Sequence, residues 1–471
     1  MTTLPHALPR LVVAAPATGQ GKTTVATGLM AALRDRGLAV SGHKVGPDYI
    51  DPGYHALACG RPGRNLDPHL VGEDLVAPLL LHGARTPEPA DVAVVEGVMG
   101  LFDGRIGGAG FSSTAHVAAL TRTPVVLVVD ISRSSRSIGA VVHGMATWDP
   151  TVQVAGVILN RAGSLRHAGE VRSAIDLPVL GVIPRDDHLA TPSRHLGLVT
   201  AAERGAAVGV DAAEVVARLG EVVARHVDLD AVLDLARSAP DLDAAPWSPA
   251  ESARLCSQEG PSRRVSTGAA SATGPVVAVA AGQAFTFHYA ETTELLEAAG
   301  CRVVAFDPAH DAELPAGTAG LYLGGGFPEV HAAELSANTR LRTTIGAAVR
   351  DGLPAVAECG GLLYLCRSLD GTPMAGAVDA DAAMTRRLTL RYPEAVATHD
   401  TLLTRRSERV TGHEFHRTDV QPGTGPTPAW EVDDSTVGFA SATLHASYLH
   451  THWAGHPQLA TRFAEAVHAH A

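Results

Sequence analysis

The stretch VVAAPATGQGKTT, Val12 to Thr24, decides how the first half of this chain is read. An apolar, β-branched run enters a turn with two glycines, and a segment of helical character, Thr23 to Asp35, leaves it. Gly19 and Gly21 let backbone N–H groups converge on phosphate oxygens with no Cβ in the way. Lys22 can reach the outer phosphates, and the Thr23 hydroxyl can ligate Mg²⁺. Gly19, Gln20, Gly21, Lys22, Thr23 and Thr24 are the expected nucleotide cradle. The spacing departs from the plain G-x-x-x-x-G-K-[ST] form, because Pro16 stands where the first glycine would be.

Outward from this loop the same rhythm repeats. Arg10–Ala15, Leu38–Lys44, Asp91–Gly97, Pro124–Asp130, Val154–Asn160 and Pro178–Pro184 read as buried strands with helical segments between them. Such alternation predicts a mostly parallel sheet covered on both faces. The carboxyl ends of its strands should converge on one crevice. Glu96 ends one strand, where an acid would hold magnesium directly or through water. Asp48 and Asp51 follow Lys44 at another. Thr23, Asp48 and Glu96 are therefore the expected metal ligands.

The pattern fades after about Arg225, and residues 236–274, rich in Ser, Ala, Pro, Gly and Asp, read as a linker. A second alternating block opens at Val276–Gly282. It continues through Cys301–Phe306, Gly320–Gly326 and Pro354–Gly361. The expected domains are thus 1–235, a phosphate-loop domain, and 275–471, a second α/β domain. In AECGG, Ala357 to Gly361, a sharp strand-to-helix turn would expose Cys359 at a helix N-terminus, where a thiolate is favoured. A thiol nucleophile needs a base. His450 and His452 in ASYLHTHW, and the histidines of GHEFH, are candidates, and spacing does not choose among them.

With 471 residues and a formal charge of −12, the chain has room for two or three cores and no electrostatic footprint for nucleic acid. No apolar run has membrane-spanning length. Five scattered cysteines form no disulfide or metal framework, which predicts a reducing cytoplasm. A homodimer is compatible with the sequence and not required by it.

Taken together, KVGPDYIDPGYH, GRPGRNLDPHL, EGVMGLFDG, ILNRAGS, PSRHLGLV, GGGFPE, AECGGLLYL, GHEFH and SYLHTHW resemble the cobyrinic/hydrogenobyrinic acid a,c-diamide synthases of corrin biosynthesis, over nearly the whole chain. The first half also resembles dethiobiotin synthetase, which shares the shifted glycine. The resemblance implies an ATP- and corrinoid-binding amidoligase domain followed by a class I glutamine amidotransferase domain of flavodoxin-like α/β fold. It implies Cys359 as nucleophile, His450 as base, and Mg²⁺, ATP, L-glutamine and a cobyrinic or hydrogenobyrinic acid as the small molecules bound. Many class I relatives carry a glutamate two residues after the histidine. Here His452 holds that place, which implies a dyad, or an orienting group from elsewhere, and leaves the tautomer of the histidine unassigned.

By the same resemblance, Gly324, Gly325, Gly326 and the amide of Gly360 would bind the oxyanion. Asn160 would recognise adenine. Lys44, Tyr49, His55, Arg61, Arg64 and Asn65, with Arg391, His413 and His416, would contact the polyanionic corrinoid. Two other readings exist. A cobyric acid synthase would amidate other carboxylates of the same ring. A partitioning-type ATPase would share the phosphate loop but leave Cys359 and the second block without work.

Overall fold

The computed structural model describes residues 6–186, 193–194, 197–198, 212–258 and 274–471. Half of the motif PSRHLGLV, residues 192, 195, 196 and 199, falls outside them. The chain divides into two compact units, Met1–Trp247 and Ser248–Ala471.

The first unit is built on a seven-stranded sheet. Its strands are β1 (Arg10–Ala14), β2 (Val40–Val45), β3 (Arg64–Leu66), β4 (Val92–Glu96), β5 (Val125–Asp130), β6 (Val154–Ala162) and β7 (Val179–Pro184). They lie in the order β3-β2-β4-β1-β5-β6-β7, and every neighbouring pair is parallel. A parallel sheet covered on both faces needs apolar side chains on both, which is why β1, β4 and β5 read as continuous Val and Ala runs. Helix α1 (Lys22–Asp35) buries Val25, Leu29, Met30 and Leu33 under the sheet. Helix α2 (Ile50–Cys59) follows β2. Only β3 was not expected; three residues are too few to show a period.

The register sets the chemistry. Lys44 of β2 lies opposite Glu96 of β4 on one side and Asn65 of β3 on the other. On the far side of β1, Asp130 of β5 lies opposite Asn160 of β6. All five sit at the carboxyl ends of their strands, around the loop that leaves β1.

The segment 236–274, expected as a linker, is partly built into the two units. Helix Leu229–Arg237 runs into it. Leu242 then bridges His6, and Trp247 donates its backbone N–H to Pro78 (2.9 Å) with its ring edge-on to His82. A further helix, Pro249–Gln258, belongs to the second unit. Beyond Arg237, polar, small-residue composition hid the ordered segment, in which Leu242 and Trp247 are buried.

The second unit holds a six-stranded sheet. Its five parallel strands lie in the order Arg302–Phe306, Val276–Ala280, Thr318–Leu323, Ala355–Glu358, Leu444–Ser447, with Phe439–Ala440 antiparallel at the edge. Numbered along the chain the parallel strands run 2-1-3-4-5, the flavodoxin-like order. An antiparallel pair, Asp381–Arg391 with Glu414–Gln421, is added between the last two parallel strands in sequence. Among the described residues no helix is long and apolar enough to cross a membrane.

Candidate active site

In the first unit the chain leaves β1 and turns into α1 through Gly19 (φ 84°) and Gly21 (φ 92°), conformations that L side chains rarely adopt. The far flank clamps this loop. Asn160 Nδ2 donates to Gln20 O (2.9 Å), Arg161 Nη1 to Gly19 O (3.1 Å), and Asp130 N to Gln20 Oε1 (2.8 Å). A Cβ at Gly21 would stand 2.2 Å from Asn160 Nδ2. Asn160 thus braces the loop with one end of its amide and accepts from Arg161 N with the other.

The near flank supplies charge. Thr23 Oγ1 donates to Glu96 Oε1 (2.6 Å) and lies 3.3 Å from Asp51 Oδ2. Lys44 Nζ donates to Asp51 Oδ2 (2.5 Å), Glu96 Oε1 (2.9 Å) and Gly97 O (3.1 Å). His55 Nε2 meets Glu96 Oε2 at 2.7 Å. Burial opposes the charge on Lys44, but Asp51 and Glu96 outweigh it and hold the ammonium above its ordinary range. Burial likewise opposes ionisation of Glu96, yet Lys44 and His55 hold its carboxyl below the usual range. Asp51 is pushed up by burial and by the neighbouring Asp48 and Glu96 carboxylates. Lys22 donates to Met99 O and is lowered to about 8 by burial and by Lys44.

Two buried carboxylates therefore share Lys44 beside a hydroxyl, a set of hard oxygens suited to a small divalent cation. No cluster of three or more His, Cys, Asp or Glu side chains with metal-site geometry occurs among the described residues. Asp48, expected as a ligand, instead accepts the backbone N–H groups of Ile50 (2.8 Å) and Asp51 (3.1 Å). It caps α2, and Asp51, one turn on, faces Thr23.

In the second unit Cys359 sits between the strand Ala355–Glu358 and the helix Gly360–Leu365 with φ 46° and ψ −99°. A non-glycine residue in this region carries strain of about 1–3 kcal/mol, as expected of a nucleophile on a sharp elbow. Its N–H donates to Ser447 O (2.8 Å), which ties the elbow to the strand Leu444–Ser447. That strand ends before His450, and a two-way backbone pairing of His413 with His450 (3.0 Å each way) holds the histidine there. Burial disfavours the His450 imidazolium, but hydrogen bonding to Cys359 and Glu358 outweighs it and raises His450 to about 10.

Residues 11–199 match the family described as CobQ/CobB/MinD/ParA nucleotide binding domain, and residues 276–458 the CobB/CobQ-like glutamine amidotransferase domain. A hydrogenobyrinate a,c-diamide synthase of Thermobifida fusca is 60% identical over 98% of this chain and 97% of its own length. One of Streptomyces coelicolor is 55% identical over 98% and 97%. A cobyrinate a,c-diamide synthase of a Synechococcus strain is 39% identical over 97% and 98%. The chain belongs to the a,c-diamide synthase family.

As a member of that family it is an amidating ligase with a nucleotide-binding domain and a glutamine amidotransferase domain. The structure distributes the remaining expected residues unevenly. Lys44 and His55 join the acid cluster of the phosphate loop. Asn65 Nδ2 ties down the loop after β2 through Gly46 O (2.8 Å) and Asp48 O (2.7 Å), with Tyr49 half-buried next in the chain. Arg61 precedes β3 and Arg64 begins it. Arg61 donates to Glu88 O (2.9 Å), and Arg64 packs where a Cβ on Gly83 would stand.

In the second unit Arg391 is held by Glu414 (2.6 Å) and Asp433 (2.7 Å). His416 stacks on Tyr448 at 3.8 Å, and His413 stacks on His450 at 4.8 Å. His452, two residues past His450, meets a different acid. It pairs with Glu291 (3.7 Å) and packs on Tyr289. Of the glycines, Gly325 N–H is spent on Phe287 O (2.9 Å), while Gly326 N stands 2.9 Å from where a Cβ on Gly360 would be. Sequence reasoning noted Asp51 without choosing it and passed over Glu358; an acid beside the nucleophile was the available signal.

Proposed function

We propose that this chain converts the a and c acetate carboxylates of hydrogenobyrinic acid to amides, using ATP and glutamine, in the cytoplasm where both are supplied. The observation that carries the reading is the presence in one chain of a complete phosphate-loop cluster (Lys22, Thr23, Lys44, Asp51, Glu96) and a cysteine elbow facing a buried histidine.

A carboxylate has no useful leaving group, and ammonia is mostly protonated at neutral pH. The first unit addresses the first problem. Backbone N–H groups of Gly19–Thr24 and the ammonium of Lys22 cradle the triphosphate. Lys44 adds a second ammonium beside the transferring phosphoryl group. Thr23, Asp51 and Glu96 fit Mg²⁺, which when bound would offset the charge of the phosphates. The γ-phosphoryl group passes to the corrinoid carboxylate as an acyl phosphate.

The second unit addresses the second problem. His450 holds the proton of the Cys359 thiol as an imidazolium, and the thiolate adds to the side-chain carbonyl of glutamine. N–H groups of Gly326 and Gly360 hold the oxyanion. His450 returns the proton to the leaving nitrogen, so ammonia departs uncharged and leaves a thioester. Water, deprotonated by His450, then releases glutamate. The ammonia attacks the acyl phosphate and phosphate leaves.

The test uses two variants. Cys359→Ser should lose glutamine-driven amidation and keep ammonium-driven amidation. Lys22→Ala should lose both. Full glutamine-driven turnover by Cys359→Ser would end the reading. Parallel assays with hydrogenobyrinic and cobyrinic acid decide the metal-free substrate; preference for the cobalt corrinoid would reassign it.

A further inference from the structure

Glu358 is an acid that the steps above do not use. It closes its strand immediately before the nucleophile and is 4% exposed. Because Tyr322 lies opposite Val356, the side chains of Tyr322, Val356 and Glu358 share one face. Tyr322 OH donates to Glu358 Oε2 (3.1 Å), and the Thr451 hydroxyl donates to Oε1 (3.1 Å). Trp453 Nε1 in turn donates to Thr451 Oγ1 (3.1 Å). A carboxylate held this firmly at both oxygens has one orientation.

That orientation places Oε2 3.6 Å from His450 Nδ1. The Cε1–Nε2 edge of the ring faces Gly325, where a Cβ would stand 2.5 Å from Cε1 and 3.3 Å from Nε2. With Nδ1 toward Glu358, Nε2 is the nitrogen left for the sulfur. His413 stacks flat on the ring, 10° from parallel, and fixes its plane. The acid beside His452 is a different one, Glu291, which reaches His452 at 3.7 Å.

Resting on the amidotransferase reading, we propose that Glu358 is the positioning residue of this site. Its carboxylate holds the Nδ1 proton of His450, so that Nε2 faces Cys359. The orienting acid thus comes from the residue before the nucleophile and not from the strand end after the base. Separations of this size commonly tighten once substrate is bound. Glu358 itself exchanges no proton with glutamine.

The experiment uses the full chain, with glutamate release and ammonium-driven amidation measured on the same preparation. Glu358→Gln keeps the shape and removes the charge. Glutamine-driven kcat should fall by ~10²- to 10⁴-fold, the range for an orienting acid lost from a triad. KM for glutamine and ammonium-driven amidation should hold. The limb of the pH profile that reports His450 should move to lower pH, with Cys359, His413, His416 and Tyr322 unchanged around it. Glu291→Gln serves as the comparator and should leave that limb in place.

Unchanged glutamine turnover and pH profile in Glu358→Gln would overturn the proposal, as would a displaced limb in Glu291→Gln alone. If Glu358→Gln loses ammonium-driven amidation too, Glu358→Asp decides. Partial glutamine turnover with a displaced limb supports the role, and a wild-type limb overturns it. Glutamine-driven turnover surviving in Cys359→Ser would instead remove the amidotransferase reading itself.

Discussion

Lys44 and Glu96 are register partners on adjacent parallel strands, and the ammonium stands 2.9 Å from Glu96 Oε1 with both side chains buried. Asp51 shares the same ammonium at 2.5 Å. Lys44→Met would strand two carboxylates out of water. Removing one partner of a buried ion pair costs about 3–5 kcal/mol. The variant should show a lower urea midpoint for the first unit and no amidation with either nitrogen source. A wild-type midpoint would mean that the cluster is wetter than its burial indicates.

Gly21→Ala meets two obstacles. The residue has φ 92°, and a Cβ would stand 2.2 Å from Asn160 Nδ2. The left-handed conformation alone costs an L residue roughly 1–2 kcal/mol. KM for ATP should rise while glutamate release from glutamine is untouched. Adding Asn160→Ala should recover only part of the loss, because the strained φ persists. Full recovery in the double variant would show that the clash alone mattered.

His450 links stability to pH. Against burial, its bonds to Cys359 and Glu358 raise it from the ordinary imidazole value to about 10. His413 and His416 are the other titratable groups beside it. A raised folded-state value stabilises the protein fully below the unfolded value and loses that contribution as pH climbs through the folded one. The urea-midpoint gap between wild type and His450→Gln should therefore be widest near pH 6 and close as pH approaches 10. A gap that widened with pH would contradict the assigned direction.

Gly326→Ala would place a Cβ 2.0 Å from Ala284 O. Backbone cannot yield as a flexible side chain can, and overpacking of this kind costs about 1–3 kcal/mol. It would also displace the amide next to the elbow. Glutamine-driven turnover should drop far more than ammonium-driven turnover, measured side by side. Equal losses would point to general unfolding.

Much of this was legible in the chain itself. The phosphate loop, Glu96 and Cys359 announce themselves because glycine placement and strand-end acids carry direct geometric meaning. Arg61 and Arg64 are harder to place from sequence, because a cation in a shared motif has no address until the strand direction around it is known. Asp48 and Asp51 were indistinguishable in sequence; which one caps a helix and which faces Thr23 depends on where α2 begins. His452 looked like a companion of His450 on a continuing strand, but the strand stops at Ser447 and the alternation no longer applies. The antiparallel pair Asp381–Arg391 and Glu414–Gln421 escaped notice because its exposed, charged strands lack an apolar run.

β1 runs between β4 and β5, and the two sides of the loop it feeds have different trades. Every ionised contact to Thr23 arrives from the β2–β4 side, while the braces on Gly19 and Gln20 arrive from β5 and β6. One bank governs voltage and the other governs form. Lesions on opposite banks, such as His55→Gln and Asn160→Ala, should then sum almost independently in a double-mutant cycle. The crevice can thus be retuned for a differently charged acceptor without recutting the mould that grips the nucleotide.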